Sequence, residues 1–121
     1  VRGWEFRQGR VGYHADQQWA DGRSWRLGGT YIVIEQSPAL TAPVHDRCRP
    51  GLNHVAFHVG DAADLDAIIT EAQDHGWTLM FADAHPNAGG PGHHAGFIED
   101  TDGFEVELVA DVNERGTNTT T

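Results

Sequence analysis

The chain has 121 residues, of which 39% are hydrophobic, and its 18 Asp and Glu against 8 Lys and Arg give a formal net charge of −10 at pH 7. This is enough apolar material for one small domain with a single core, but affinity for nucleic acid comes largely from Lys and Arg, so the acidic balance excludes nucleic acid as the default partner. Because no stretch reaches the roughly 18 to 20 apolar residues of a membrane span or resembles a signal peptide, we expect a soluble, cytoplasmic protein with no membrane partner.

The first half of the chain is predicted to contain strands at residues 3–10, 11–19 and 25–37. A hairpin turn is expected at Asp21-Gly22, between the second and third of these strands. In the third strand, Ile32 and Ile34 alternate with Glu35, which stands near the end of the strand. This half is therefore predicted to be a run of strands without a helix.

The second half begins after a proline-rich connector at residues 38–51. Residues 53–59 then alternate strictly, with apolar side chains on one face and His54 and His58 on the other, which predicts a strand. Asp61 is a candidate N-cap for the helix that follows. Apolar residues recur in that helix at i, i+3, i+4 and i+7, at Leu65, Ile68, Ile69 and Ala72.

Further strands are predicted at residues 77–82, 95–99 and 104–109. A loop rich in Gly and Pro separates the first two, and a turn separates the last two. In the last strand Glu105 and Glu107 alternate with apolar residues, so one face carries carboxylates. The predicted order in this half is β-α-β-β-β.

This pattern divides the chain into an incomplete first module at residues 1–37, a connector at 38–51, a complete βαβββ module at 52–110 and a flexible tail at 111–121. The first module lacks the opening strand and helix of the second, a difference of roughly thirty residues. Without them Ile32 and Ile34 would face water. We therefore expect that the natural chain begins earlier or that a second copy covers this surface.

Four segments together resemble the vicinal oxygen chelate superfamily: GLNHVAFHV at residues 51–59, HGW at 75–77, HPNAGG at 85–90 and EDTDGFEVEL at 99–108. This superfamily contains glyoxalase I, bleomycin-resistance proteins, fosfomycin-resistance enzymes, methylmalonyl-CoA epimerase and extradiol dioxygenases. The resemblance implies an α+β fold in which paired βαβββ modules form a half-barrel around a central cavity. That cavity holds a divalent metal ion or an organic ligand, and family members commonly form homodimers.

The resemblance also implies metal ligands. His54 and Glu107 match the ligands on the first and last strands of the second module, and Glu35 is the equivalent in the first module. Imidazole and carboxylate suit a divalent ion such as Zn, Ni, Co, Mn or Fe(II). The alternative from the residues alone is a half-buried strand histidine satisfied by a neighbour, with Glu107 facing water.

Substrate contacts are expected on the same cavity surface. His58 lies two residues from His54 on the same strand face, as a substrate contact or as part of the cavity wall. Trp25 and Tyr31 are candidates for stacking on a flat ligand, with core or wall positions as the alternative.

The loop before the strand at residues 95–99 carries His85, His93 and His94. Histidines in such loops are usually exposed. A role as a lid or substrate clamp is the alternative for these three histidines, and His94 is the candidate substrate contact among them.

One His and two Glu favour a lyase or isomerase of the glyoxalase type over an extradiol dioxygenase, whose ligands are two His and one carboxylate. Such an enzyme acts on a small oxygen-rich substrate through an enolate-like intermediate, with Glu107 or Glu35 as the carboxylate that moves a proton. The alternative is a metal-free module that sequesters an antibiotic or another organic cation, which the net charge of −10 would attract. A structural fragment without activity is a third possibility.

Overall fold

A computed structural model of the chain describes residues 11–111, and the architecture concerns that range. Its elements are, in chain order, β1 (His14–Trp19), β2 (Gly22–Leu27), β3 (Thr30–Glu35), β4 (His54–Gly60), α1 (Ala62–Gln73), β5 (Thr78–Met80), β6 (Ala95–Glu99) and β7 (Glu105–Ala110). The strand predicted at residues 3–10 and most of the predicted tail lie outside the described residues.

The strands form two sheets, and the α+β class is confirmed. One sheet is antiparallel with the order β1-β2-β3, and the other has the order β4-β7-β6-β5. Within the second sheet β4 and β7 run parallel, whereas β5, β6 and β7 are antiparallel neighbours. The predicted β-α-β-β-β order of the second half is therefore confirmed, and its first and last strands are neighbours.

The first half differs from the prediction in where its strands turn. Residues 25–37 do not form one strand, because Gly28 and Gly29 form a turn between β2 and β3. Gly28 has a φ of +56°, a conformation that glycine adopts without steric cost. The preceding turn is at Ala20 and Asp21 rather than at Asp21-Gly22, since β2 begins at Gly22.

Helix α1 begins with a reciprocal cap. The Asp61 side chain accepts a hydrogen bond from the backbone N–H of Asp64 at 2.9 Å, and the Asp64 side chain accepts one from the Asp61 N–H at 3.1 Å. This capping box satisfies two backbone donors that the first helical turn leaves unpaired. The predicted apolar face is confirmed, since the buried residues of the helix are Leu65, Ile68, Ile69 and Ala72. None of the described helices has the length and apolar character needed to span a membrane.

The core lies between α1 and the four-stranded sheet. The sheet contributes Phe57 from β4, Ile98 from β6, and Val106 and Leu108 from β7. Side chains alternate along a strand, so the residues between these point to the opposite face.

The three-stranded sheet packs against the same core. The ring of Tyr13, just before β1, meets the ring of Phe57 edge-on at a centroid distance of 5.9 Å. Ile32 and Ile34 are partly buried against this core, so the expectation that both face water is wrong. The physical reason is that other residues of the same chain pack against both side chains.

Gly96 of β6 provides a test of this packing. A Cβ atom at Gly96 would lie 2.7 Å from Cδ1 of Ile69 on α1. We expect Gly96→Ala to lower the free energy of unfolding by about 1–3 kcal/mol through overpacking, measured by urea titration. Gly29→Ala is the matched control, because a Cβ there meets nothing within 4 Å. Equal destabilisation by both substitutions would contradict close helix–sheet contact at this point.

Candidate functional site

The face of the four-stranded sheet opposite α1 carries polar and aromatic side chains, and we call it the polar face. Its members are His54 from β4, Phe97 from β6, and Glu105 and Glu107 from β7. Both carboxylates are buried, with Glu105 4% and Glu107 8% exposed. Buried carboxylates require partners, because an isolated charge is costly to remove from water.

The first partner of Glu107 is His54. Oε1 of Glu107 lies 3.1 Å from Nε2 of His54, although the two residues are 53 positions apart in the sequence. The two side chains converge because their strands are neighbours and both residues lie on the same face of the sheet.

Asn53 determines which ring nitrogen of His54 can bind a proton or a metal ion beside Glu107. The Asn53 Nδ2 donates to the carbonyl oxygen of Arg47 at 3.2 Å, so its Oδ1 faces His54. This Oδ1 accepts a hydrogen bond from Nδ1 of His54 at 2.8 Å. In a neutral imidazole the lone pair of Nε2 then points at a carboxylate oxygen, and two such acceptors require a positive species between them. A proton or a metal ion meets that requirement.

The second partner of Glu107 is His93, from the loop between β5 and β6. The other carboxylate oxygen, Oε2, lies 2.5 Å from Nε2 of His93. Glu107 is thus held between two imidazoles, one on a strand and one on a loop. The side chains of His54 and His93 are 34% and 41% exposed, so solvent reaches both ends of this cluster.

Glu105 has a cationic partner from the connector. Arg47 Nη1 lies 3.2 Å from Oε1 of Glu105, outside hydrogen-bond geometry, so that oxygen has an ion pair without a hydrogen bond. The Arg47 guanidinium also lies 5.9 Å from the ring centroid of Phe81. This pair neutralises one of the two buried carboxylates and leaves Glu107 as the one in contact with imidazoles.

Aromatic rings line the space beside the histidine. Phe97 meets His54 edge-on at 6.0 Å and Phe81 edge-on at 5.6 Å. These rings present an apolar wall next to the His54–Glu107 pair. Phe81 is 47% exposed, so this wall borders the pair on one side and leaves it open to solvent.

The other residues predicted to form the site are placed elsewhere. Glu35 is exposed, and its carboxylate accepts a hydrogen bond from the Trp19 indole at 3.1 Å. Tyr31 is 60% exposed and its ring lies 5.2 Å from the Arg26 guanidinium, whereas Trp25 is only 4% exposed. These three side chains belong to the three-stranded sheet and share no described contact with the His54–Glu107 pair.

The remaining predicted histidines differ from one another. His58 is on the expected strand but bonds Asp111 at 2.9 Å, and its side chain is 77% exposed. His94 is partly buried, and its Nε2 has no hydrogen-bond partner among the described residues. Within residues 11–111, no group of three or more His, Cys, Asp or Glu is arranged to hold a metal ion.

From the sequence His93 is only one of three loop histidines that share a lid or clamp role as an alternative, and its contact with Glu107 is not predicted. It lies in an irregular Gly-rich loop, where no periodicity shows which way a side chain points. Nothing in the local spacing distinguishes it from its neighbour His94. Its role becomes visible only when the loop is folded over β7.

The chain is similar to known proteins over most of its length. A family model described as Glyoxalase/Bleomycin resistance protein/Dioxygenase superfamily matches residues 3–97. The uncharacterised protein YqjT of Bacillus subtilis (strain 168) is 40% identical over 109 residues, which are 89% of this chain and 84% of that protein.

Solved structures with the same fold include two informative examples. A Bacillus halodurans protein assigned to the glyoxalases is 37% identical with a TM-score of 0.82, over 89% of this chain and 82% of that chain. The fosfomycin resistance protein FosX of Listeria monocytogenes, complexed with Mn(II) and sulfate, is 14% identical with a TM-score of 0.57, over 98% of this chain and 86% of that chain. The second likeness shows the fold alone.

Proposed function

Since the chain belongs to the glyoxalase/bleomycin resistance protein/dioxygenase superfamily, we propose that it is a divalent-metal-dependent lyase or isomerase acting on a small oxygen-rich substrate. The observation that carries this proposal is the 3.1 Å approach of His54 Nε2 to Glu107 Oε1 on the polar face. Its other support is the Mn(II) complex of the Listeria protein, which has the same fold.

Two donor atoms, Nε2 of His54 and Oε1 of Glu107, are spaced as two ligands of one metal ion would be. Two ligands bound at about 2.0 to 2.2 Å and at right angles to each other lie about 3 Å apart, close to the separation of the two atoms here. The Asn53 contact leaves Nε2 of a neutral His54 as a lone-pair donor, which is the form that binds metal. His54 and Glu107 would therefore hold the ion, which we propose to be Zn, Ni, Co, Mn or Fe(II).

The remaining ligands are a separate part of the proposal. We propose Glu35 as a further ligand from the first half of the chain. To bind the ion, its carboxylate would have to give up the hydrogen bond from Trp19. His93 is not counted as a ligand, because it bonds the oxygen of Glu107 that does not face His54.

When bound, the ion would supply a Lewis acid that polarises a substrate oxygen. The chain itself would orient the substrate, with Phe81 and Phe97 as an apolar wall on one side of it. Glu107 is the proposed carboxylate that moves a proton, since its Oε1 lies beside Nε2 of His54, where a substrate oxygen would be held. Glu35 is the second candidate for this role. His58 and His94 are proposed substrate contacts at the margins of this space.

A second function is favoured by the aromatic and acidic character of the same face. The ring of Phe97 is the cross-strand neighbour of the buried carboxylate of Glu107, which has no Arg or Lys partner among the described residues, and this combination suits an organic cation. A metal-free protein that sequesters such a molecule is therefore the alternative to the enzyme.

Metal analysis separates the two functions. We expect the purified protein, after reconstitution with Zn or Mn and removal of excess ion, to retain about one equivalent per chain. If the wild type retains no more metal than His54→Ala does, the proposed enzyme is contradicted and the cation-binding alternative is favoured. We also propose a homodimer, for which sedimentation gives the mass.

A further inference from the structure

We infer that His93 is a positioning residue that fixes Glu107 as a one-oxygen metal ligand and closes the loop at residues 81–94 over the site. The part of this inference that concerns metal binding rests on the proposed function, and the part that concerns the loop does not. The contact between His93 Nε2 and Glu107 Oε2 at 2.5 Å carries it, together with the loop packing that aims the imidazole at that oxygen.

The loop backbone holds His93 in place. Its N–H donates to the carbonyl oxygen of Gly90 at 3.2 Å, and its own carbonyl oxygen accepts from Nδ2 of Asn87 at 3.2 Å. Two residues later, the N–H of Ala95 donates to the carbonyl oxygen of Pro86 at 2.9 Å. These bonds tie both sides of His93 into the loop, so the imidazole direction is set by the loop conformation.

Gly89 permits the loop to close on the imidazole. A Cβ atom at Gly89 would lie 2.7 Å from Cδ2 of His93 and 3.6 Å from Cζ of Phe97. A Cβ this close requires the His93 ring or the loop backbone to shift. Gly89→Ala therefore shifts the imidazole or its loop without changing the chemistry of the ring.

The consequence for Glu107 concerns its two oxygens. His93 occupies Oε2, so only Oε1 is directed towards His54 and an ion held there. Carboxylate ligands are commonly fixed by such outer hydrogen bonds, whose loss typically weakens metal binding about 10- to 100-fold. A Glu107 released from His93 would rotate and lose this fixed direction.

Titration with Co(II) tests the metal-binding half. We expect His93→Ala to weaken Co(II) binding about 10- to 100-fold, and His93→Gln to restore most of the affinity because its amide N–H can replace the Nε2 donor. The intensity of the visible Co(II) spectrum at saturation should stay close to that of the wild type, since no ligand is lost. His75→Gln is the control, because His75 follows the end of α1 and its Nδ1 lies 3.0 Å from the carbonyl oxygen of Glu71.

Amide hydrogen exchange in metal-free protein tests the loop. We expect residues 81–94 to exchange about tenfold faster in His93→Ala, Gly89→Ala and Glu107→Ala, as the loss of one buried hydrogen bond predicts, with the exchange of α1 unchanged. This readout needs neither metal nor substrate.

The outcomes are distinguishable. Failure of the wild type to bind Co(II) overturns the proposed function, while faster loop exchange in all three variants still supports the His93–Glu107 contact. Unchanged loop exchange overturns the inference. A changed Co(II) spectrum without rescue by Gln also overturns it, because His93 would then be a ligand itself. Equal destabilisation of α1 in His93→Ala would assign His93 a merely structural role.

Discussion

Phe57→Ala should lower the free energy of unfolding by about 3–5 kcal/mol, the largest stability effect expected from one substitution on β4. The ring is 8% exposed and packs in the core between α1 and the sheet. It also carries the edge-on contact to Tyr13, so its loss would loosen the three-stranded sheet as well. Urea denaturation followed by far-UV circular dichroism gives the change.

His54→Ala is the matched control for this measurement, because it lies three residues earlier on the same strand but on the opposite face. Its side chain is 34% exposed and contributes little to the core. Because Glu107 loses one partner but keeps His93, we expect the unfolding free energy to fall by only about 1 kcal/mol. A loss as large as that of Phe57→Ala would show that His54 has a structural role.

The same His54→Ala substitution should weaken the binding of a divalent metal by about 100-fold or more, since it removes a ligand rather than an outer contact. His58→Ala is the comparison, because it lies on the same strand face but bonds Asp111 and has no contact with Glu107. Isothermal titration with Zn or Mn measures both affinities. Comparable affinities in wild type and His54→Ala would exclude His54 as a ligand.

The second half of the fold is predictable from the sequence because its signals agree with one another. Strict alternation at residues 53–59 and the helical period of α1 describe two faces that must meet, and a capping residue marks where the helix begins. The sequence also predicts that His54 and Glu107 lie away from the core. Their contact follows once β4 and β7 are neighbours.

The first half is less predictable because a turn is hidden in a run of strand-forming residues. Residues 25–37 alternate well enough to resemble one strand, yet Gly28 and Gly29 are a recognised hairpin pair. Pairing of Trp25 with Ile32 then brings two parts of that run side by side. Glu35 is consequently near Trp19, a placement that depends on sheet pairing rather than on local pattern.

The contacts that complete the site are not predictable from periodicity. Asn53 orients His54 only because its amide also reaches the Arg47 carbonyl in the connector. His93 reaches Glu107 only because Gly89 lets its loop approach. Both depend on irregular backbone, where the direction of a side chain is set by turns and close packing.

The parallel pairing of β4 with β7 has a kinetic consequence. These strands begin and end the second module, and His54 and Glu107 are 53 positions apart, so their contact closes a long stretch of chain. Closing such a loop loses much chain entropy before the contact stabilises it, so contacts of this kind form slowly. A molecule or ion bound to both side chains would hold β4 and β7 together, which would raise the apparent stability and slow unfolding. The unfolding rate of the protein therefore reports occupancy of the site, and candidate ligands can be ranked by it before any reaction is known.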